Sequence, residues 1–160
     1  MPATYEPIQT LTASGSSTTF SFSSLPTSYT DLVIVLVGTL TGGNQGVKMR
    51  FNGDSTNGNY LYKRFNAAGS PQTDQTSSDG IDVGYQLTSS RQMTTIRIPS
   101  YRITNFKKLC YYSLTAPAND GIVRAAGEWN NTGAITSITL TAGNNYTSDT
   151  TATLYGIASA

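Results

Sequence analysis

Few residues in this chain have types and spacings that could do chemistry. There is no histidine, which removes His-based triads, zincin motifs and His-ligated metals together. The only glutamates are Glu6 and Glu128. Glycoside hydrolysis needs two carboxylates facing one cleft. Glu6 falls on a stretch read below as an arm, and no spacing selects an aspartate to pair with Glu128. Cys110 is the only cysteine, so no internal disulfide can form. It sits in the apolar-aromatic run Leu109 to Leu114 and reads as a small buried hydrophobe rather than a nucleophile. The glycines and lysine of Gly38 to Lys48 do not have phosphate-loop spacing, and no helix pattern follows. The loop Asn52 to Asn59 offers Asp54 and several amide oxygens, the ligand type calcium takes. EF-hand spacing fails there, and the alternative is an Asx-turn hairpin. The expectation is a chain that is not an enzyme and carries no cofactor or metal.

What remains is surface chemistry. Trp129 and ten tyrosines could stack on sugars or on a partner, although aromatics are also the usual packing material of sandwiches. Tyr60, Tyr62, Tyr85 and Tyr101, with Asp54, are the candidates for exposed contacts. Lys63-Arg64 and Lys107-Lys108 read as solvated basic pairs on strand edges. Net charge is +1 and only 12% of residues are charged, which is not the footprint of a nucleic-acid binder. The longest apolar run, Leu32 to Val37, is far too short for a membrane-spanning helix. Met1 to Glu6 lacks the basic start and apolar run of a secretory leader, so folding in a cytoplasm is expected.

The elements that must position these residues read as strands. At 160 residues the chain is about one domain, with a core of its own. Residues 1–17, with Pro2, Pro7 and a Ser-Gly-Ser-Ser segment, read either as an extended arm reaching about 50 Å or as a first edge strand. The single domain then runs from 18 to 160. Phe20 and Phe22 alternate with serines, and Ile81, Val83, Tyr85 and Leu87 give the cleanest period-2 pattern. Asp31 to Leu40 is apolar in both phases and reads as a central strand buried on both sides. Further strands are expected over Val47–Phe51, Tyr60–Phe65, Met93–Ile98, Phe106–Leu114, Gly121–Trp129, Ala134–Thr141 and Ala152–Ile157. Residues 66–80 form a long polar stretch of turn formers. No segment holds a helical period over three turns. The pattern predicts an all-β, two-sheet antiparallel sandwich, of jelly-roll type.

The opening MPATYEPI, the segment FSSLPTSYTDLVIVLVGT, the hairpin FNGDSTNGNYLYKR and the late ITSITLTAGNNYTSDTTATLYGI occur in that order. This ordered set resembles a family of small virion structural proteins of tailed bacteriophages, including cyanophages. The resemblance runs from Met1 to Ile157. It implies a structural role in the virion, assembled in the host bacterial cytoplasm, with no catalytic residues to carry over. Without a repetitive or coiled-coil shaft, the chain suits a capsid decoration or cement protein that bridges capsid subunits. A homotrimer would match a three-fold position. The alternative is a tail-fibre or baseplate component binding a host surface glycan, and a third is a free carbohydrate-binding or carbohydrate-cleaving domain. The expected partners are capsid or tail proteins. The expected contacts run through the arm (Tyr5, Ile8), Trp129 and the last strand (Leu154, Tyr155).

Overall fold

The computed structural model describes residues 5–43, 45–66, 75–77, 79–86, 91–116 and 121–158, which hold twelve strands and no helix. In chain order they are β1 (Tyr5–Thr12), β2 (Thr19–Phe22), β3 (Asp31–Gly38), β4 (Gln45–Phe51), β5 (Tyr60–Asn66) and β6 (Gln75–Ser77). Then come β7 (Ile81–Gln86), β8 (Gln92–Ile98), β9 (Lys108–Ala116), β10 (Gly121–Trp129), β11 (Ile138–Ala142) and β12 (Thr151–Ile157). They build an eight-stranded sheet in the order β1-β12-β3-β8-β9-β10-β5-β6 and a four-stranded sheet in the order β2-β11-β4-β7. Every pairing is antiparallel. The chain passes back and forth between the sheets, wrapping them into a jelly-roll-type sandwich. The fold class read from composition and periodicity is the one present.

The core lies between the sheets. Alternation supplies Leu32, Ile34 and Leu36 from β3, Ile96 and Ile98 from β8, and Leu154 from β12. Facing them are Phe20, Phe22, Met49, Phe51, Ile138 and Leu140 from the smaller sheet. Cys110 is fully buried in the same cluster, and burial pushes its thiol up to about 12. It packs as the small hydrophobe its surroundings predict.

Residues 5–12 are the edge strand of the two alternatives. They pair with β12 from Tyr5 opposite Ile157 to Thr12 opposite Thr151. Pro7 and a bulge between Pro7 and Gln9 interrupt this outer edge, as edge strands require if they are not to recruit further strands. Several strand limits move, two of them for a visible reason. The expected strand from Ala134 begins only at Ile138, because Asn52 Oδ1 accepts from the Thr136 and Ser137 N–H groups at 2.7 and 3.1 Å and takes them out of the ladder. The one from Phe106 begins at Lys108, whose ammonium draws the preceding turn around itself. Most of 66–80, read as a loop, lies outside the described residues, but Gln75–Ser77 within it form β6 and pair with Tyr60–Tyr62.

Candidate interaction face

The outer face of the eight-stranded sheet is built by the phase of each strand that the core does not use. Register across the sheet sets its rows. One row runs Lys63, Ala126, Tyr111, Arg97, Val33, Tyr155; the next runs Phe65, Arg124, Ser113, Thr95, Val35, Thr153. A third runs Ile122, Thr115, Met93, Val37, Thr151. Phe65 is 62% exposed, Tyr111 54% and Ile122 53%, and Leu61, Leu109 and Met93 are also open. Apolar patches of a few hundred Å² are common on single-chain proteins and are often functional. Aromatics, Met and Arg are also the residues enriched in protein–protein interfaces.

The area of the face can be set against that of protein–protein interfaces. From β5 to β8 the patch spans about 14 Å across the strands and about 20 Å along them, roughly 300 Å². That is less than half of the ~800 Å² each partner contributes to a standard interface. The whole eight-stranded face, about 34 Å wide, comes to roughly 700 Å² and matches it. The apolar patch is thus well short of a standard interface, whereas the whole sheet face is of that size.

β3 carries the same message. Its inward side chains are fully buried, and on the outer face Val33 is buried too, while Val35 and Val37 are only partly covered. The expectation of burial on both sides holds within this chain for the inner face and, on the outer face, at Val33 alone. Opposite apolar phases in one strand normally mean cover on both faces.

Several residues expected at the surface are core. Tyr60, Tyr62 and Tyr101 are buried, as is Leu154, and Trp129, for which core was one of the two expected places, is core. Trp129 stacks on Tyr60 at 6.4 Å and 15° and lies 5.6 Å from Phe51. Tyr101 donates to the Pro26 carbonyl, and Leu154 points between the sheets. Tyr60 and Tyr62 take the inner phase of β5, which leaves Leu61 and Phe65 outside. Neither basic pair is solvated as a pair: Lys63 and Lys107 are outside, while Arg64 and Lys108 are inside. The Tyr85 side chain lies outside the described ones. Tyr5 and Tyr155 do meet at the surface, edge to face at 6.4 Å, at the β1 border of the outer face. Ile8 is partly buried against the core. Arg97, Arg124, Tyr111, Phe65 and Ile122 are the face residues that sequence reasoning did not single out. The signal available was the second apolar phase of β5, β9 and β10.

Asp54 is a structural anchor. Its Oδ1 accepts from the Thr56 N–H at 2.8 Å, forming the Asx turn, and its Oδ2 accepts from Trp129 Nε1 at 2.7 Å and Asn59 Nδ2 at 2.9 Å. Both oxygens thus face N–H donors, an arrangement for a turn rather than for a cation. Burial alone would raise this carboxyl, but the bonds from Trp129, Thr56 and Asn59 outweigh it and hold it at about 2. A depressed folded pKa contributes stability above the unfolded value of 3.8 and loses it as pH falls toward about 2. Asp54→Asn should lower stability by about 1–2 kcal/mol at neutral pH. Its urea midpoint should also fall less steeply than that of the unaltered protein between those two pH values. Parallel pH profiles would show that Asp54 is not so engaged.

A hollow of about 490 Å³ lies on the outside of the four-stranded sheet. Gln45, Lys48, Arg50, Asp79, Asp82 and Thr141 line it. Lys48 and Arg50 each reach Asp79 at 2.6 Å and hold its carboxyl below the usual range. Burial pushes Asp82 up, against the pull of Arg64 at 3.5 Å. This is the one place where two carboxylates line a common described hollow, and both already face cations. Glu6 and Glu128 stand on strands five positions apart in the sheet, about 24 Å, far beyond glycosidase spacing.

No protein-family model and no curated protein matches the chain. Among solved structures it is similar to the galectin LEC-6 of Caenorhabditis elegans, with 9% identity, TM-score 0.41, and 94% of this chain and 96% of that one covered. A tetrameric galectin from the ball sponge Cinachyrella sp. gives 13% identity, TM-score 0.37, and 86% and 98% coverage. The exo-inulinase of Aspergillus awamori gives 13% identity and TM-score 0.45, covering 98% of this chain and 30% of that one. At these values the likeness extends to the all-β sandwich class and to nothing finer.

Proposed function

We propose that this chain is a non-enzymatic virion structural protein of a tailed phage, a decoration or cement protein seated on the capsid by the outer face of its eight-stranded sheet. The observation that carries the reading is the group of open apolar side chains around Tyr111, on a face large enough for a standard interface. The ordered sequence resemblance to phage virion proteins supplies the setting. A homotrimer at a three-fold position would let three such faces bridge neighbouring capsid subunits.

The test is attachment of purified protein to expanded, protein-depleted heads. Tyr111→Asp and Ile122→Asp should each weaken attachment roughly 30-fold or more, the effect of losing an interface anchor. Both positions are exposed, so urea midpoints should stay unchanged. Full attachment by both variants, or labelling of host cells in place of heads, overturns the reading.

The polar hollow on the smaller sheet favours a second reading, a tail-fibre or baseplate component that binds a host glycan. Its cations and carboxylates are of the kind that hydrogen-bond sugar hydroxyls. In that case Lys48→Ala should abolish host-cell labelling and leave head attachment untouched.

A further inference from the structure

Within the outer face lies a hollow of about 340 Å³, floored by Thr95, Tyr111, Ser113 and Ala125 and flanked by Arg97 and Arg124. Arg124 has no hydrogen bond or ion pair among the described residues. Arg97 spends one Nη2 contact, 2.8 Å, on Asp31 Oδ2 and keeps its other donors. The Thr95, Tyr111 and Ser113 hydroxyls have no described partner either. Arg97 and Arg124 stand two strands and one row apart, about 12 Å between Cα atoms; Arg97 is turned toward Asp31 on β3, the side of β8 away from Arg124, and must swing off it to join Arg124 on one small anion. Planar guanidiniums match carboxylate and phosphate geometry.

We propose that this hollow seats a carboxylate side chain of a partner protein, carried on a segment whose flanking apolar side chains cover Phe65, Tyr111 and Ile122. This rests on the docking reading above and names what the docked surface must present. The apolar surround selects a protein carboxylate over a nucleic-acid phosphate, which would leave those side chains uncovered.

A second copy of this chain is a poor occupant. Each described carboxylate already has a donor. Glu6 is held by Tyr29, Asp31 by Arg97, Asp54 by Trp129 and Asp79 by Lys48 and Arg50. Asp82 is held by the Gly84 N–H, Glu128 by Lys107 and Asp149 by Arg91.

The test is a titration of isotope-labelled protein, reading the Arg97 and Arg124 Nε–Hε resonances. The probes are acetyl-Leu-Glu-Leu-amide, its Gln counterpart and inorganic phosphate. The Glu peptide should shift both resonances saturably and bind roughly tenfold or more tightly than the Gln peptide. The Glu-peptide shifts should fade at about 0.5 M salt, where charges are strongly screened, and vanish in Arg124→Gln. Equal binding of Glu and Gln peptides, an equal response to phosphate, or no shift with any probe overturns the proposal. Self-association lost in Arg124→Gln would also overturn it, by making a second copy the occupant. None of these results touches the docking face itself, which is judged by head attachment of Tyr111→Asp and Ile122→Asp.

Discussion

Lys108→Met should lower stability by about 3 kcal/mol. For a domain of this length that is a fall in melting temperature of roughly 6–12 °C. Lys108 is fully buried, and its Nζ donates to three backbone carbonyls: Ile103, and Phe106 and Thr132 at 3.0 Å each. These bonds gather the turn before β9 and the loop after β10 around one ammonium. Replacing a buried ion pair by apolar residues is often neutral, because both charges leave together. Here the acceptors are main-chain carbonyls and stay behind unpaired. The neighbouring Lys107→Met is the internal control. Lys107 pairs with Glu128 at 2.9 Å in solvent, so its loss should cost under ~1 kcal/mol. Urea melts of the two variants make the comparison. Equal midpoints would mean the three carbonyls find other partners.

Trp129→Ala should cost about 3–5 kcal/mol, the range for deleting a large aromatic from a packed core. The cavity would open between Tyr60 and Phe51, and Asp54 would lose one of its three donors. Trp129→Phe separates the two effects. It keeps most of the packing but removes the indole N–H, so the loss should fall to about 1–2 kcal/mol. Both variants should raise the Asp54 pKa by the same step. A Phe variant as unstable as the Ala variant would assign the whole effect to the hydrogen bond. Trp129 is the only tryptophan, so its fluorescence reports unfolding in every other variant.

The sheet-forming pattern was legible because the period of two leaves a clear trace where one face is polar. Phe20 and Phe22 between serines, and Ile81 and Val83, all point inward as read. The trace fails where both phases are apolar. In β5 the run Tyr60 to Phe65 offers Tyr60, Tyr62 and Arg64 against Leu61, Lys63 and Phe65, and either set could be the core. A one-residue slip exchanges the faces entirely. The inner choice is fixed by Trp129, opposite Tyr60 on the neighbouring strand β10, and by Phe51 on β4 of the other sheet, which receive the Tyr60 ring. The candidate site was missed for the same reason. Arg97 and Arg124 lie 27 positions apart in sequence and meet only through the β8-β9-β10 register. Lys108 looked like half of a solvated pair because its partners are carbonyls, which every residue carries.

The place of β12 has a consequence for how the chain is made. β12 lies between β1 and β3, so the first strand has no neighbour in its sheet until the last has been synthesised. β8, β9 and β10 are consecutive and can pair as soon as they emerge. The register joining Tyr5 to Ile157 spans almost the whole chain, and such non-local closure slows folding. A ribosome-bound chain halted before Thr151 should therefore hold a partial meander with an open apolar edge at β3, and acquire protease resistance over 5–12 only on release of the final strand.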